Sequence, residues 1–249
     1  MQRLEPLNQD FDELRARQAV AAALDEFYQR LSEKLRDINL REILKKKNPY
    51  LYRAKGISNA AQIVDGILAA YLSSSEETIF GNVFFEPLAI AVSGGQKAVT
   101  EGMDITVDRD NVIYSIAVKS GTSVFNGDSR KRQEQNFQSA AKRVQQARKA
   151  YIPVVGYGYG TKRIRPGKEK FYWELAGQEF WAWLTGDPDF YLKIVQYMGA
   201  TPEEYAQRFD EIYNGAENRL LREFTMEYCD AQGFIDWDKL VRFNSGAGR

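Results

Sequence analysis

The stretch DITVDRDNVIYSIAVKSG, residues 104 to 121, is followed by a long basic segment and then by the apolar run IPVVGYGYG, and this order constrains the fold more than any other part of the chain. Asp104-Ile105-Thr106-Val107 alternates and gives way to the turn-like cluster Asp108-Arg109-Asp110-Asn111. Val112 to Lys119 is rich in β-branched and aromatic residues and ends at Ser120-Gly121. This is strand, tight turn, strand. The segment SRKRQEQNFQSAAKRVQQARKAY then sets Phe137, Ala141, Val144 and Ala147 on one face and Arg and Lys on the others, the pattern of an amphipathic helix over 129–150. A crossover through that helix makes a strand over 152–157 run parallel to the one ending at Lys119. KEKFYWELAG predicts a further strand. The expected architecture is α/β, a small mixed sheet flanked by helices.

The rest of the chain reads as helical additions at both ends. Residues 10–36 carry Phe11, Leu14, Ala19, Ala23, Phe27, Leu31 and Leu35 at helical spacing, and a short helix is predicted over 39–46. Pro49 then interrupts the pattern. Ser58 is placed to cap a helix through about Leu72, and SSSEET to begin another through about Val92. Residues 178–231 read as mostly helical, with breaks at Gly186, Pro188 and Pro202. The expected organisation is one domain over 1–249, with a helical part at 1–75, a core at 76–175 and a helical part at 176–249.

Composition narrows the chemistry. Lys plus Arg and Asp plus Glu both total 34, so any basic patch must be local. The chain has no histidine and one cysteine, Cys229, which excludes Ser-His-Asp and Cys-His catalysis, histidine or thiolate zinc sites, iron-sulfur clusters and an internal disulfide. No GxGxxG or GxxxxGK[ST] occurs. Carboxylates, lysine and a hard metal are left as agents. MQRLEPLNQDFDEL has neither a basic nor an apolar leader region, and no apolar run approaches the roughly 20 residues that span a bilayer, so a cytoplasmic location is the default expectation.

Helix, strand with Asp104, strand ending in Lys119, basic helix, strand: this order resembles the PD-(D/E)XK nuclease superfamily, which includes type II restriction endonucleases, over about residues 76–158. LKKKNPYLYRAKGI, ETIFGNVFFEPLA and GQEFWAWLTGD resemble segments of PmeII-type and related restriction endonucleases. The resemblance implies a restriction-endonuclease-like core and a Mg²⁺-dependent, sequence-specific double-strand DNA endonuclease, working as a homodimer because two related sites cut the two strands. The alternatives are a catalytically inactive nuclease-like DNA-binding protein and a structure-specific repair or recombination nuclease. Taken singly, Asp104 also fits a turn residue and Lys119 a solvated strand end.

By the same resemblance Asp104 and the main-chain carbonyl of Val118 hold the metal, which prefers oxygen ligands, and Lys119 holds a nonbridging phosphate oxygen and orients water. The chain departs from the motif at Ala117, where the family has Asp or Glu. Glu134, on the following helix, is the expected substitute, unless the alanine is disabling. Glu86, set in the apolar stretch FFEPLAIAV, is a second expected ligand, since a glutamate there costs energy unless it is paired or binds metal. Glu101 falls on the other face of the strand and is expected at the surface. DNA contacts are expected from Arg130, Lys131 and Arg132, at a helix start capped by Ser129, with Lys142, Arg143, Arg148 and Lys149 continuing the charge. A flexible loop from Tyr157 to Lys168 brings Lys162, Arg163 and Arg165. The lysines at 45–47 are read as solvated, and Trp173, Trp181 and Trp183 as core anchors.

Overall fold

A computed structural model describes residues 4–167 and 170–246. Its helices are α1 (Glu13–Arg36), α2 (Leu40–Leu44), α3 (Pro49–Ala54), α4 (Ala60–Phe80), α5 (Glu86–Ser93), α6 (Gly127–Gln146), α7 (Gln178–Thr185), α8 (Phe190–Met198), α9 (Thr201–Tyr228) and α10 (Trp237–Asn244), with a π-helical turn at Gly81–Phe85. Its strands are β1 (Gln96–Lys97), β2 (Ile105–Arg109), β3 (Val112–Lys119), β4 (Ala150–Tyr157), β5 (Arg163–Ile164) and β6 (Trp173–Ala176). The chain forms two compact units, Met1–Phe27 with Phe80–Pro202, and Tyr28–Ile79 with Glu203–Arg249.

The first unit holds the sheet, in the order β1-β2-β3-β4-β6-β5. β1, β2 and β3 are antiparallel neighbours, β3, β4 and β6 run parallel, and β5 returns antiparallel to β6. The hairpin between β2 and β3 turns on Asp110 and Asn111, both at positive φ (49° and 63°), as a two-residue primed turn requires. The mixed sheet flanked by helices is therefore the one expected, and the crossover through α6 does make β4 parallel to β3.

Alternation along the strands sorts side chains onto two cores. One holds Ile105, Val107, Ile116, Val118, Val154, Trp173 and Leu175 with Leu88, Ala89 and Val92 of α5 and Phe180, Trp181, Trp183 and Leu184 of α7. The other holds Ala117, Val155, Tyr157 and Ala176 with Phe137 and Ala140 of α6. Burying these apolar side chains, each worth roughly 1.5–3 kcal/mol, holds the layers together. All three tryptophans named above are buried, as core anchors should be. In the second unit Ile63, Val64, Ile67 and Leu68 of α4 and Leu220 and Phe224 of α9 are fully buried. There the Asn244 amide donates to the Leu44 and Lys47 carbonyls at 2.8 Å each, satisfying groups left open at the end of α2.

Several expected boundaries move, each for a local reason. The two helices predicted over 58–72 and from SSSEET to about 92 are one helical run, α4, the π turn and α5. The hydroxyls in that run find partners other than a helix start: Thr78 donates to the Ser74 carbonyl at 3.1 Å within the helix, and the Ser75 hydroxyl accepts from Lys34 of α1. Pro49 starts a helix rather than breaking one, because Asn48 caps it and the first helical position needs no N–H from proline. Pro202 sits within the first turn of α9 for the same reason. Asn126, not Ser129, caps α6: its side chain accepts from the Ser129 N–H at 2.8 Å, while the Ser129 hydroxyl accepts from the Asn126 N–H at 3.0 Å.

Candidate active site

Asp104 and Lys119 meet where β2 begins and β3 ends. Asp104 lies one residue before β2, and its N–H donates to the Ile116 carbonyl at 2.9 Å, which continues the ladder past the strand. Ile105 pairs with Ile116, so alternation sets Asp104, Ala117 and Lys119 on the α6 face and Val118 on the other. Asp104 Oδ2 accepts from the Val118 N–H at 2.6 Å and from Lys119 Nζ at 3.3 Å. Lys119 Nζ also donates to the Val118 carbonyl at 2.9 Å. The two side chains are 28% and 22% exposed, so the cluster sits at the rim of the sheet with a path to solvent. A positive charge is thus held between a carboxylate oxygen and a main-chain carbonyl, two hard oxygen donors.

The other acidic residues have different partners. Position 117 is fully buried, in the apolar cluster with Phe137, Ala140, Val155 and Tyr157. Glu134 lies half-buried on α6, one turn before Phe137, where the Tyr172 hydroxyl donates to its Oε1 at 3.1 Å. Glu86, at the first position of α5, forms an ion pair with Lys97 at 3.2 Å, and Lys97 is the β1 residue opposite Ile105. Glu101 is exposed and pairs with Arg132. Among the described residues no three His, Cys, Asp or Glu side chains come together as metal ligands. The structure therefore unites Asp104, the Val118 carbonyl and Lys119, and leaves Glu86 and Glu134 on partners of their own.

Most of the basic residues expected at DNA are engaged in ion pairs. Arg130 meets Glu174 at 3.1 Å and Lys162 meets it at 2.6 Å, while Arg163 meets Glu179 at 2.8 Å. Lys131 and Arg165 are exposed, and Arg132 is 72% exposed in its pair with Glu101. The segment after β4 is less free than its glycines suggested, because Arg163–Ile164 forms β5 against β6. Lys168 lies outside the described residues.

Glu174 is the group that reading the sequence missed. Its side chain has no exposed surface, yet it receives Arg130, Lys162, Lys170 and the Tyr157 hydroxyl, the last at 2.9 Å. Burial alone would raise its pKa, but hydrogen bonds from Lys162, Lys170 and Tyr157 outweigh that and bring it down to about 2. The signal was present in FYWELAG, a glutamate among aromatic and apolar residues, the same signal that singled out Glu86.

The mixed sheet with α6 packed over one face is an α/β core of the restriction-endonuclease-like kind, and it carries a carboxylate and a lysine at adjoining strand ends. Residues 15–206 match the model of the family described as type II restriction endonuclease EcoO109I. The chain belongs to that family, and so to the site-specific deoxyribonucleases, hydrolases of phosphodiester bonds. The match carries the wider expectation of a type II restriction endonuclease, and the family it names is EcoO109I. No curated protein matches the chain. No helix among the described residues is long and apolar enough to cross a membrane.

Proposed function

We propose that this protein cleaves both strands of double-stranded DNA at a fixed sequence with Mg²⁺ as its divalent ion, and that Asp104, Val118, Lys119, Glu86 and Glu134 form the site. The observation that carries the reading is the Lys119 ammonium resting on the Asp104 carboxylate and the Val118 carbonyl. Both are hard oxygen donors of the kind Mg²⁺ takes, and the place they define already accommodates a cation. Asp104 and the Val118 carbonyl therefore fit such an ion and would hold it, while the Glu86 and Glu134 carboxylates would leave Lys97 and Tyr172 to complete its shell.

A bound divalent ion supplies a water of lowered pKa and charge stabilisation at phosphorus. Lys119, once those two oxygens are taken from it, binds a nonbridging phosphate oxygen and orients the water for in-line attack. The Val118 N–H, donated to Asp104 Oδ2, keeps the carboxylate aimed at the site. Arg130, Lys131, Arg132, Lys162, Arg163 and Arg165 meet the DNA, the first three through phosphates and the others from the segment after β4. We further propose that the enzyme works in the cytoplasm as a homodimer, one site for each strand, and that the whole chain serves as a single nuclease domain.

Incubating the purified protein with plasmid DNA, with and without Mg²⁺, tests the reading: discrete fragments are expected only with the ion. Asp104→Asn and Lys119→Ala should each slow cutting at least about a hundredfold while the circular-dichroism spectrum stays unchanged. Undiminished cleavage by Lys119→Ala removes the pair from the mechanism. Glu134→Ala should lose cutting, and adding Ala117→Glu should restore only part of it, since position 117 is buried and apolar. Full activity in Glu134→Ala leaves Asp104 and Glu86 as the carboxylate ligands.

A further inference from the structure

We propose that Arg130, Lys162 and Lys170, gathered on the buried Glu174 carboxylate, form a preassembled clamp for a DNA backbone phosphate other than the scissile one. The inference rests on the reading above that the chain binds duplex DNA, and it adds Lys170 and the organising carboxylate to that reading.

Charge and donor capacity carry the argument. One cation suffices to neutralise a buried carboxylate, yet three converge on this one. Glu174 Oε1 takes Arg130 and Lys170, and Oε2 takes Lys162 and the Tyr157 hydroxyl, so the four acceptor sites of the carboxylate are filled. The cations are not similarly used up, because each lysine has three donors and the arginine five. Like charges held this close repel one another, and an arriving anion relieves that repulsion. The three side chains also keep some solvent exposure, 30%, 21% and 22%, over a carboxylate side chain that is 0% exposed.

Each cation is braced by an aromatic ring. Arg130 lies 5.2 Å from the centre of the Phe125 ring, Lys162 5.2 Å from that of Tyr157, and Lys170 5.6 Å from that of Tyr172. Arg130 is in the first turn of α6, whose amino end adds partial positive charge. A phosphate bound here meets donors already in place, so little side-chain freedom is lost on binding.

Its position tells which phosphate it serves. Glu174 pairs with Val155, and Tyr157 with Lys119, so Glu174 and Lys119 share the α6 face of the sheet. They lie two strand spacings apart, on the order of 10 Å. The clamp and Lys119 therefore address different phosphates.

The test is equilibrium binding of a short duplex of random sequence, without divalent ion, across a series of salt concentrations. Each phosphate contact contributes about 0.9 to the slope of log affinity against log salt. Lys170→Met and, separately, Lys162→Met should each reduce the slope by about 1, and Lys170→Arg should keep it. Each methionine variant leaves Glu174 two cations, and its melting temperature reports whether the fold is kept. Unchanged slopes in both methionine variants, with only a lower melting temperature, would show the cations to be structural and overturn the clamp. A wild-type protein whose binding has no salt dependence, or that does not bind the duplex, overturns the DNA-binding reading together with the clamp.

Discussion

Tyr172 joins the two acidic centres on the α6 face of the sheet. Its hydroxyl donates to Glu134, and it also receives a hydrogen bond from Arg130, which in turn pairs with Glu174. Burial pushes its phenol up to about 12, so the proton that holds Glu134 stays on the oxygen throughout the working pH range. If Glu134 is a metal ligand, Tyr172 is the residue that aims it. Tyr172→Phe should then raise the Mg²⁺ concentration needed for half-maximal cleavage by about ten- to a hundredfold, the usual cost of losing a partner behind a metal ligand. An unchanged Mg²⁺ requirement in Tyr172→Phe would mean that Tyr172 acts elsewhere.

At the scale of elements, the π-helical turn between α4 and α5 has a specific place: it meets the carboxyl ends of two parallel strands. A Cβ on Gly81 would lie 2.1 Å from the Ser120 Oγ, next to Lys119, and one on Gly158, just past β4, would lie 2.3 Å from Phe85. Such turns, with their wider i to i+5 bonding, recur at functional sites. Gly81→Ala should turn the Ser120 hydroxyl aside and, since the Ser120 Cβ would lie 3.3 Å from the added methyl, shift that residue and its neighbour Lys119 only slightly. Alanine gains up to about 1 kcal/mol over glycine in helix propensity, which offsets part of the steric cost to stability. Cleavage should therefore fall by only a few-fold, since a full misplacement of about 1 Å costs roughly a hundredfold, while the melting temperature moves by only a few degrees. Wild-type cleavage rates in Gly81→Ala would show that the close approach is not needed for chemistry.

For the whole molecule, the depressed pKa of Glu174 is a statement about acid stability. Its ordinary value is 4.5 and its folded value about 2, so the ionised form is favoured by folding. That stability is fully present above about pH 4.5 and is lost as pH falls from there through about 2, amounting to about 3 kcal/mol. Melting wild type and Glu174→Gln across this window should reveal a large difference at pH 5 and above that shrinks towards zero near pH 2. A constant difference would mean that the glutamine is costly for its shape and not for its lost charge.

Local chemistry determined much of this protein. The β-branched run to Lys119, the Asp110-Asn111 turn and the amphipathic spacing of α6 made the hairpin, crossover and mixed sheet legible, because each depends on neighbours in the chain. The Asp104 and Lys119 pair followed from the hairpin register, since alternation puts both on one face. What the sequence left open depends on residues distant in the chain. Whether SSSEET caps a helix or lies inside one was decided by where its hydroxyls found partners. Glu86 and Glu174 both stand among apolar residues and carry the same signal in the sequence. Only the tertiary structure distinguished them, by bringing Arg130, Lys162 and Lys170 from three separate places to one carboxylate and a single lysine to the other. A buried charge is stabilised by whatever the fold gathers around it, and that gathering cannot be seen from sequence neighbours alone.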